Sequence, residues 1–246
     1  PHNCIFCNQL LQYRFIDVAM QPEHPVESVE KSQHFIHTYI CDNCFLVQTR
    51  SRFLSDAANR EYVTSYSPTW LTSMKEYVAK TFDKMEPTSK GLLLELINHG
   101  TISRWNYTPD YTLAKKDIYS FIEMYGKSNR IVCHNEMAYV HDINDFVAAI
   151  KLLLAPDGII TIEFPHLLHL IEGNRFANLT AGVFAYFSFT AVDTIFKSHN
   201  LVIVDVEDCL PKGCIRISAK HQGNISKHIS RNTPTLRGTE RDRGMS

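Results

Sequence analysis

Four of the seven cysteines fall into two Cys-x-x-Cys pairs, Cys4-Ile5-Phe6-Cys7 and Cys41-Asp42-Asn43-Cys44, with 33 residues between them. One such turn places two sulfurs on an edge of a tetrahedron, and two turns complete it, which is the donor chemistry of a four-coordinate zinc ion. Two disulfides are disfavoured in a cytosolic chain, and a redox pair would need only one such turn in a thioredoxin-like setting. With Cys4, Cys7, Cys41 and Cys44 filling all four positions, no place remains for water or substrate, so the zinc is expected to be structural. His2, His34 and His37 lie close in sequence and are read as surface residues, while Cys133, Cys209 and Cys214 are read as packing residues.

The remaining groups that could move a proton are scattered. His134, His141, His166 and His169 are read as ordinary polar residues, His141 and His166 in loops that follow strands, and Glu95 and Glu163 end strands. A glycine-rich phosphate loop is missing, which argues against a kinase or a dehydrogenase. The chain of 246 residues has net charge -1, with 44% apolar and 21% charged residues, so it can bury a full core in one or two domains. Its bulk charge favours neither nucleic acid nor acidic lipid. No apolar run reaches the ~18 residues of a membrane helix, and the Pro-His-Asn-Cys start shows no basic and apolar leader, so the expected location is the cytoplasm.

The elements that must position these groups follow from periodicity. His34 to Ile40 alternates as a strand that delivers Cys41. Ser67-Pro68 opens a helix over 68–85, with Leu71, Met74, Val78, Phe82 and Met85 on one face. Strands are expected at 91–97, 130–133, 159–164, 201–206 and 215–219. Helices are expected at 111–125, from the Asp142 cap to Pro156-Asp157-Gly158, and from the Ser188 cap to Lys197. The division is a zinc-binding module over 1–60, a linking helix over 61–89, an α/β domain over 90–221 and a basic polar tail over 222–246. That tail carries five basic residues against two acidic ones and no aromatic residue for base stacking, so it is read as solvated or partner-bound rather than as a nucleic-acid contact.

The paired Cys-x-x-Cys turns, the second running into Phe45-Leu46-Val47-Gln48, and Ser65-Tyr66-Ser67-Pro68-Thr69-Trp70-Leu71 resemble the zinc-binding domain of S-adenosylmethionine-dependent sugar C-methyltransferases. The segments Asn135 to Phe146, Gly158 to His166 and Phe184 to Ser188 are similar to that family as well, so the resemblance covers about residues 3–220. It implies an α/β fold: a small N-terminal zinc-binding module plus a class I methyltransferase-like, Rossmann-like sheet domain whose last strand is antiparallel. The donor would bind at the carboxyl ends of the first strands. The implied chemistry is methylation of a carbon beside the keto group of a nucleotide-linked deoxysugar, in which a base removes the proton and the enolate attacks the methyl group.

Three departures from the family pattern bear on that activity. Its donor loop survives only as Asn98-His99-Gly100, which with Glu95 makes a degenerate donor site of Glu95, Asn98 and Gly100. Only 32 residues separate Ile97 from Arg130, where three crossovers and two strands need at least about 40, so the second strand is expected to be missing and the sheet reduced. The family's Tyr-His-Glu-His run is matched by Thr180-Ala181-Gly182-Val183, which carries no base, and its later loop histidine by Lys212. The expectation is a non-catalytic structural or assembly subunit with zinc, without S-adenosylmethionine and without catalytic residues, whose partner is another protein or a second copy. The alternatives are an active C-methyltransferase and a zinc module that recruits nucleic acid through its basic tail.

Overall fold

The computed structural model describes residues 2–19, 35–49, 93–97, 101–104, 107–112, 115–175, 179, 183–209, 213–224, 240 and 242. Eleven strands are found among them: β1 (Tyr13–Ala19), β2 (Phe35–Ile40), β3 (Val47–Thr49), β4 (Leu93–Ile97), β5 (Thr101–Arg104), β6 (Tyr107–Thr112), β7 (Ser128–His134), β8 (Leu154–Pro165), β9 (Ala185–Tyr186), β10 (Leu201–Asp208) and β11 (Cys214–His221). The helices are α1 (Lys115–Tyr125), α2 (Ile143–Leu153), α3 (Leu167–Glu172) and α4 (Phe189–Ser198). The expected helix over 68–85 lies outside the described residues.

The larger sheet has seven strands in the order β10-β11-β8-β7-β4-β5-β6. Strands β4, β7 and β8 run parallel, and β11 is inserted antiparallel between β8 and β10. This is a Rossmann-like, methyltransferase-like sheet with a reversed closing strand. Parallel strands covered on both faces must be apolar almost throughout. Accordingly Ile131, Val132 and Cys133 of β7 and Ile160, Ile162 and Phe164 of β8 are all buried. Helix α2 contributes Ile143, Phe146, Val147, Ile150 and Leu153 to that core, and α4 contributes Phe189, Val192, Ile195 and Phe196. The Asp142 carboxylate accepts from Asp145 N at 2.8 Å and the Ser188 hydroxyl from Ala191 N at 3.1 Å, so both expected caps are made.

Three expectations about elements are corrected. Tyr111 and Thr112 belong to β6, and the helix begins only at Lys115. Pro156-Asp157-Gly158 lies within β8, where the register slips between Ser128↔Leu154 and Arg130↔Ile159. Gly158 is needed there, because a Cβ would meet Leu154 Cδ1 at 2.7 Å and the Ser128 carbonyl at 2.9 Å. The third correction concerns the strand expected to be missing. The sheet keeps two strands beyond β4, but they return antiparallel, with Ile97↔Thr101 and Arg104↔Tyr107 closing successive turns. An antiparallel return needs only a short loop where a parallel one needs a helix-length crossover. The short segment therefore costs crossovers rather than strands.

The second sheet has four strands in the order β1-β2-β3-β9, and β9 comes from sequence nearly 140 residues beyond β3. Gln48↔Ala185 and Val47↔Tyr186 make the join. It is reinforced by Thr49 N donating to the Phe184 carbonyl at 3.0 Å and by Asn144 Nδ2 donating to the Phe6 carbonyl at 2.7 Å.

Candidate metal centre and the strand-end cluster

Each Cys-x-x-Cys segment folds into the same knuckle. Asn8 N donates to the Cys4 carbonyl at 3.0 Å and Phe45 N to the Cys41 carbonyl at 2.9 Å. Cys4 N in turn donates to the Gln9 carbonyl and Cys41 N to the Leu46 carbonyl. The residue after each second cysteine turns left-handed, Asn8 at φ 61° and Phe45 at φ 59°. Asparagine tolerates that region, whereas phenylalanine does so at a cost, and such strain persists where the surroundings over-determine it.

The two knuckles bring Cys4, Cys7, Cys41 and Cys44 together, with all four Sγ atoms within 4.8 Å of one another. The Sγ···Sγ distances are 3.6 Å for Cys4 and Cys44 and 3.5 Å for Cys7 and Cys41. A tetrahedral site with ~2.3 Å metal–sulfur bonds has edges of roughly 3.8 Å, so the quartet fits a divalent metal with little movement. Cys4, Cys41 and Cys44 are buried. A hydrogen bond from Cys44 brings the Cys4 thiol down to about 5, and the same bond pushes the Cys44 thiol up. A divalent cation bound by the four sulfurs would displace their thiol protons. Among the described residues no other group of three or more ligating side chains converges in this way.

The donor residues expected at the end of the first parallel strand are only partly in view. Glu95 stands in β4 between Ser103 of β5 and Val132 of β7, while Asn98 and Gly100 lie outside the described residues. Glu163 near the end of β8 is held by Arg216 Nη2 at 2.6 Å, and Arg216 Nη1 also bonds Glu207 at 3.0 Å. Its carboxylate is therefore committed to an ion pair. Cys133 is buried, and burial pushes its thiol well up, in keeping with a packing role. His134 is buried at the end of β7, and the His141 ring packs tilted against Phe184 with centroids 3.8 Å apart.

His166 differs from the loop residue that was expected. It follows β8 directly, is 1% exposed, and its Nε2 lies 2.6 Å from Glu240 Oε1. Glu240, from the segment read as a solvated or partner-bound tail, is fully buried. Its Oε1 also accepts from Phe189 N, and its Oε2 accepts from Thr190 N at 2.7 Å and from Thr190 Oγ1 at 2.5 Å. Burial pushes this carboxyl up, but the hydrogen bonds from His166 and Thr190 outweigh it and hold the group below the ordinary glutamate range. His169, 22% exposed, packs edge-on to His166 and faces Asp208 at 3.3 Å. Sequence reading missed Glu240 because its partners stand 74, 51 and 50 residues away and the tail has no periodicity to flag it.

No protein-family model matches the chain. A C-methyltransferase of Streptomyces niveus, NovU, is 39% identical over 69 residues, which is 28% of this chain and 16% of that protein. The chain thus matches well under two thirds of this curated relative. Among solved structures, an S-adenosylmethionine-dependent methyltransferase from Anabaena variabilis aligns with a TM-score of 0.35 and 12% identity, covering 47% of this chain and 60% of that one. Magnesium protoporphyrin IX methyltransferase from Synechocystis aligns with a TM-score of 0.31 and 14% identity over 39% and 45% of the two chains. What this chain shares with NovU is limited sequence similarity over a short stretch.

Proposed function

We propose that the chain is a methyltransferase-like structural or assembly protein that binds zinc in its N-terminal module and does not bind S-adenosylmethionine. The observation that carries this reading is the path of the chain after β4. In open α/β sheets a ligand binds outside the carboxyl ends of parallel strands, where a strand feeds a helix and neighbouring crossovers diverge. Here β4 turns back within three residues into antiparallel β5, so no helix amino end follows it to face a donor. The Glu163 to Arg216 ion pair and the absence of a base in Thr180 to Val183 point the same way.

In this reading zinc, held by Cys4, Cys7, Cys41 and Cys44, supplies folding free energy and no reaction chemistry. The partner is another protein or a second copy of the chain. The competing reading, an active C-methyltransferase acting on a nucleotide-linked keto-deoxysugar, draws on the 39% identity to the Streptomyces enzyme. Calorimetric titration of metal-loaded, folded protein with S-adenosylmethionine separates the two. The structural reading expects no saturable heat at millimolar donor, and a saturable isotherm supports the active enzyme.

A further inference from the structure

The register of the β10–β11 hairpin sets two thiols side by side. The outermost pair of the ladder is Asp208↔Ile215, and Cys209 N donates to the Cys214 carbonyl at 2.9 Å, so the next opposed pair is Cys209 and Cys214. Opposed residues project from the same face of the sheet, with Cα atoms about 4.5–5.5 Å apart. A disulfide spans Cα separations of roughly 4.4–6.8 Å, so this pair can close one with its backbone in place. A second contact gives the direction of the Cys209 side chain. Its Sγ lies 3.9 Å from Glu163 Oε2, yet in the sheet order β11 stands between β10 and β8. The thiol therefore leans over β11, on the face where Arg216 Nη2 reaches the same oxygen at 2.6 Å. Cys214 and Arg216 are alternate residues of β11 and share that face.

Both thiols are half-buried, whereas Cys133 is fully buried and the other four cysteines converge in the metal centre. We propose that Cys209 and Cys214 are a redox-reversible dithiol, and that oxidation by a small disulfide of the glutathione class ties β10 to β11 beside Glu163. One cysteine thiolate attacks a sulfur of glutathione disulfide and expels a glutathione thiolate. The other cysteine thiolate then attacks the mixed disulfide and expels the second. The chain loses two electrons and two protons, which leave as two glutathione thiols. Bridging takes the Cys209 thiol away from Glu163 and leaves that carboxylate to Arg216. Burial pushes the Cys209 thiol up to about 11, so its thiolate is scarce at neutral pH and exchange quickens as the pH rises toward that value. The pair stands apart from the questions of zinc and S-adenosylmethionine, because neither residue belongs to the knuckles or to β4.

The test brings the full chain to equilibrium with glutathione buffers of increasing disulfide content, alkylates the remaining thiols and maps the tryptic peptides by mass spectrometry. Trypsin cuts after Lys212, between the two cysteines, so the bridge is read as two linked peptides whether or not the knuckles hold metal. The expected result is a Cys209 to Cys214 link that dithiothreitol reverses. Its equilibrium constant should be at least about tenfold larger in the folded chain than in guanidinium chloride. That ratio separates a pair set by the fold from one set by nearness in sequence. A folded chain that stays unlinked at equilibrium with excess glutathione disulfide overturns the proposal. An equal constant in the folded and unfolded chain overturns it too, as does a bridge from either cysteine to Cys133 or to a knuckle cysteine.

Discussion

The two edges of the seven-stranded sheet were built under different constraints. On one side β7, β8, β11 and β10 are long, pair over six to seven positions, and carry buried apolar residues on both faces. Helices α2 and α4 cross over between them with side-chain caps in place. On the other side β4, β5 and β6 are short and connected by direct reversals. A parallel neighbour demands a crossover, and a crossover carries the helix amino end that a nucleotide-like donor uses. The difference teaches that strand count alone does not reveal how the strands of a sheet are connected. Seven strands are kept, while the connections beyond β4 are antiparallel reversals rather than crossovers.

The metal knuckles belong with the well-built side, because β3 pairs with β9 immediately before the α4 cap. The largest expected effect is accordingly metal loss. Chelation or Cys41→Ser should remove zinc from purified protein and unfold the four-stranded sheet, since metal binding in such sites is worth on the order of 10–16 kcal/mol of folding free energy. Elemental analysis and circular dichroism check it. Retention of β1 to β3 without metal would detach the module from the comparison.

Next is Glu240→Ala, which strips a buried imidazole and three further donors of their acceptor and should cost about 3–5 kcal/mol in denaturant unfolding. Gly158→Ala should cost about 1–3 kcal/mol, because the new methyl must push Leu154 or the Ser128 carbonyl aside on the tightly packed edge. Ser188→Ala and Asp142→Ala, each removing one cap, should cost about 1 kcal/mol. Acidification gives the mildest handle. The Glu240 carboxyl is lower in the folded state than in the unfolded chain, so its contribution is full above the ordinary glutamate range and is lost as pH falls through the folded value. The melting temperature should therefore drop on acidification below that range more steeply in the natural chain than in Glu240→Gln.

Legibility in the sequence followed the same divide. Cys4, Cys7, Cys41 and Cys44 were readable because Cys-x-x-Cys fixes local geometry, and Asp142 and Ser188 because caps act within three residues. The core strands β7 and β8 were readable from unbroken apolar runs. The β5 to β6 reversals were not, because Tyr107 to Thr112 has no clear alternation and the length shortage could be met by dropping strands or by dropping crossovers. Glu240 was illegible for a different reason, since a single acidic residue gains meaning only from His166 and Thr190 across the fold.

In the proposed reading the β4 to β5 reversal leaves the sheet without a donor site. Its most direct test is calorimetric titration of the folded, zinc-loaded chain with S-adenosylmethionine. The account predicts no saturable heat up to millimolar donor. A saturable isotherm of one donor per chain would contradict it.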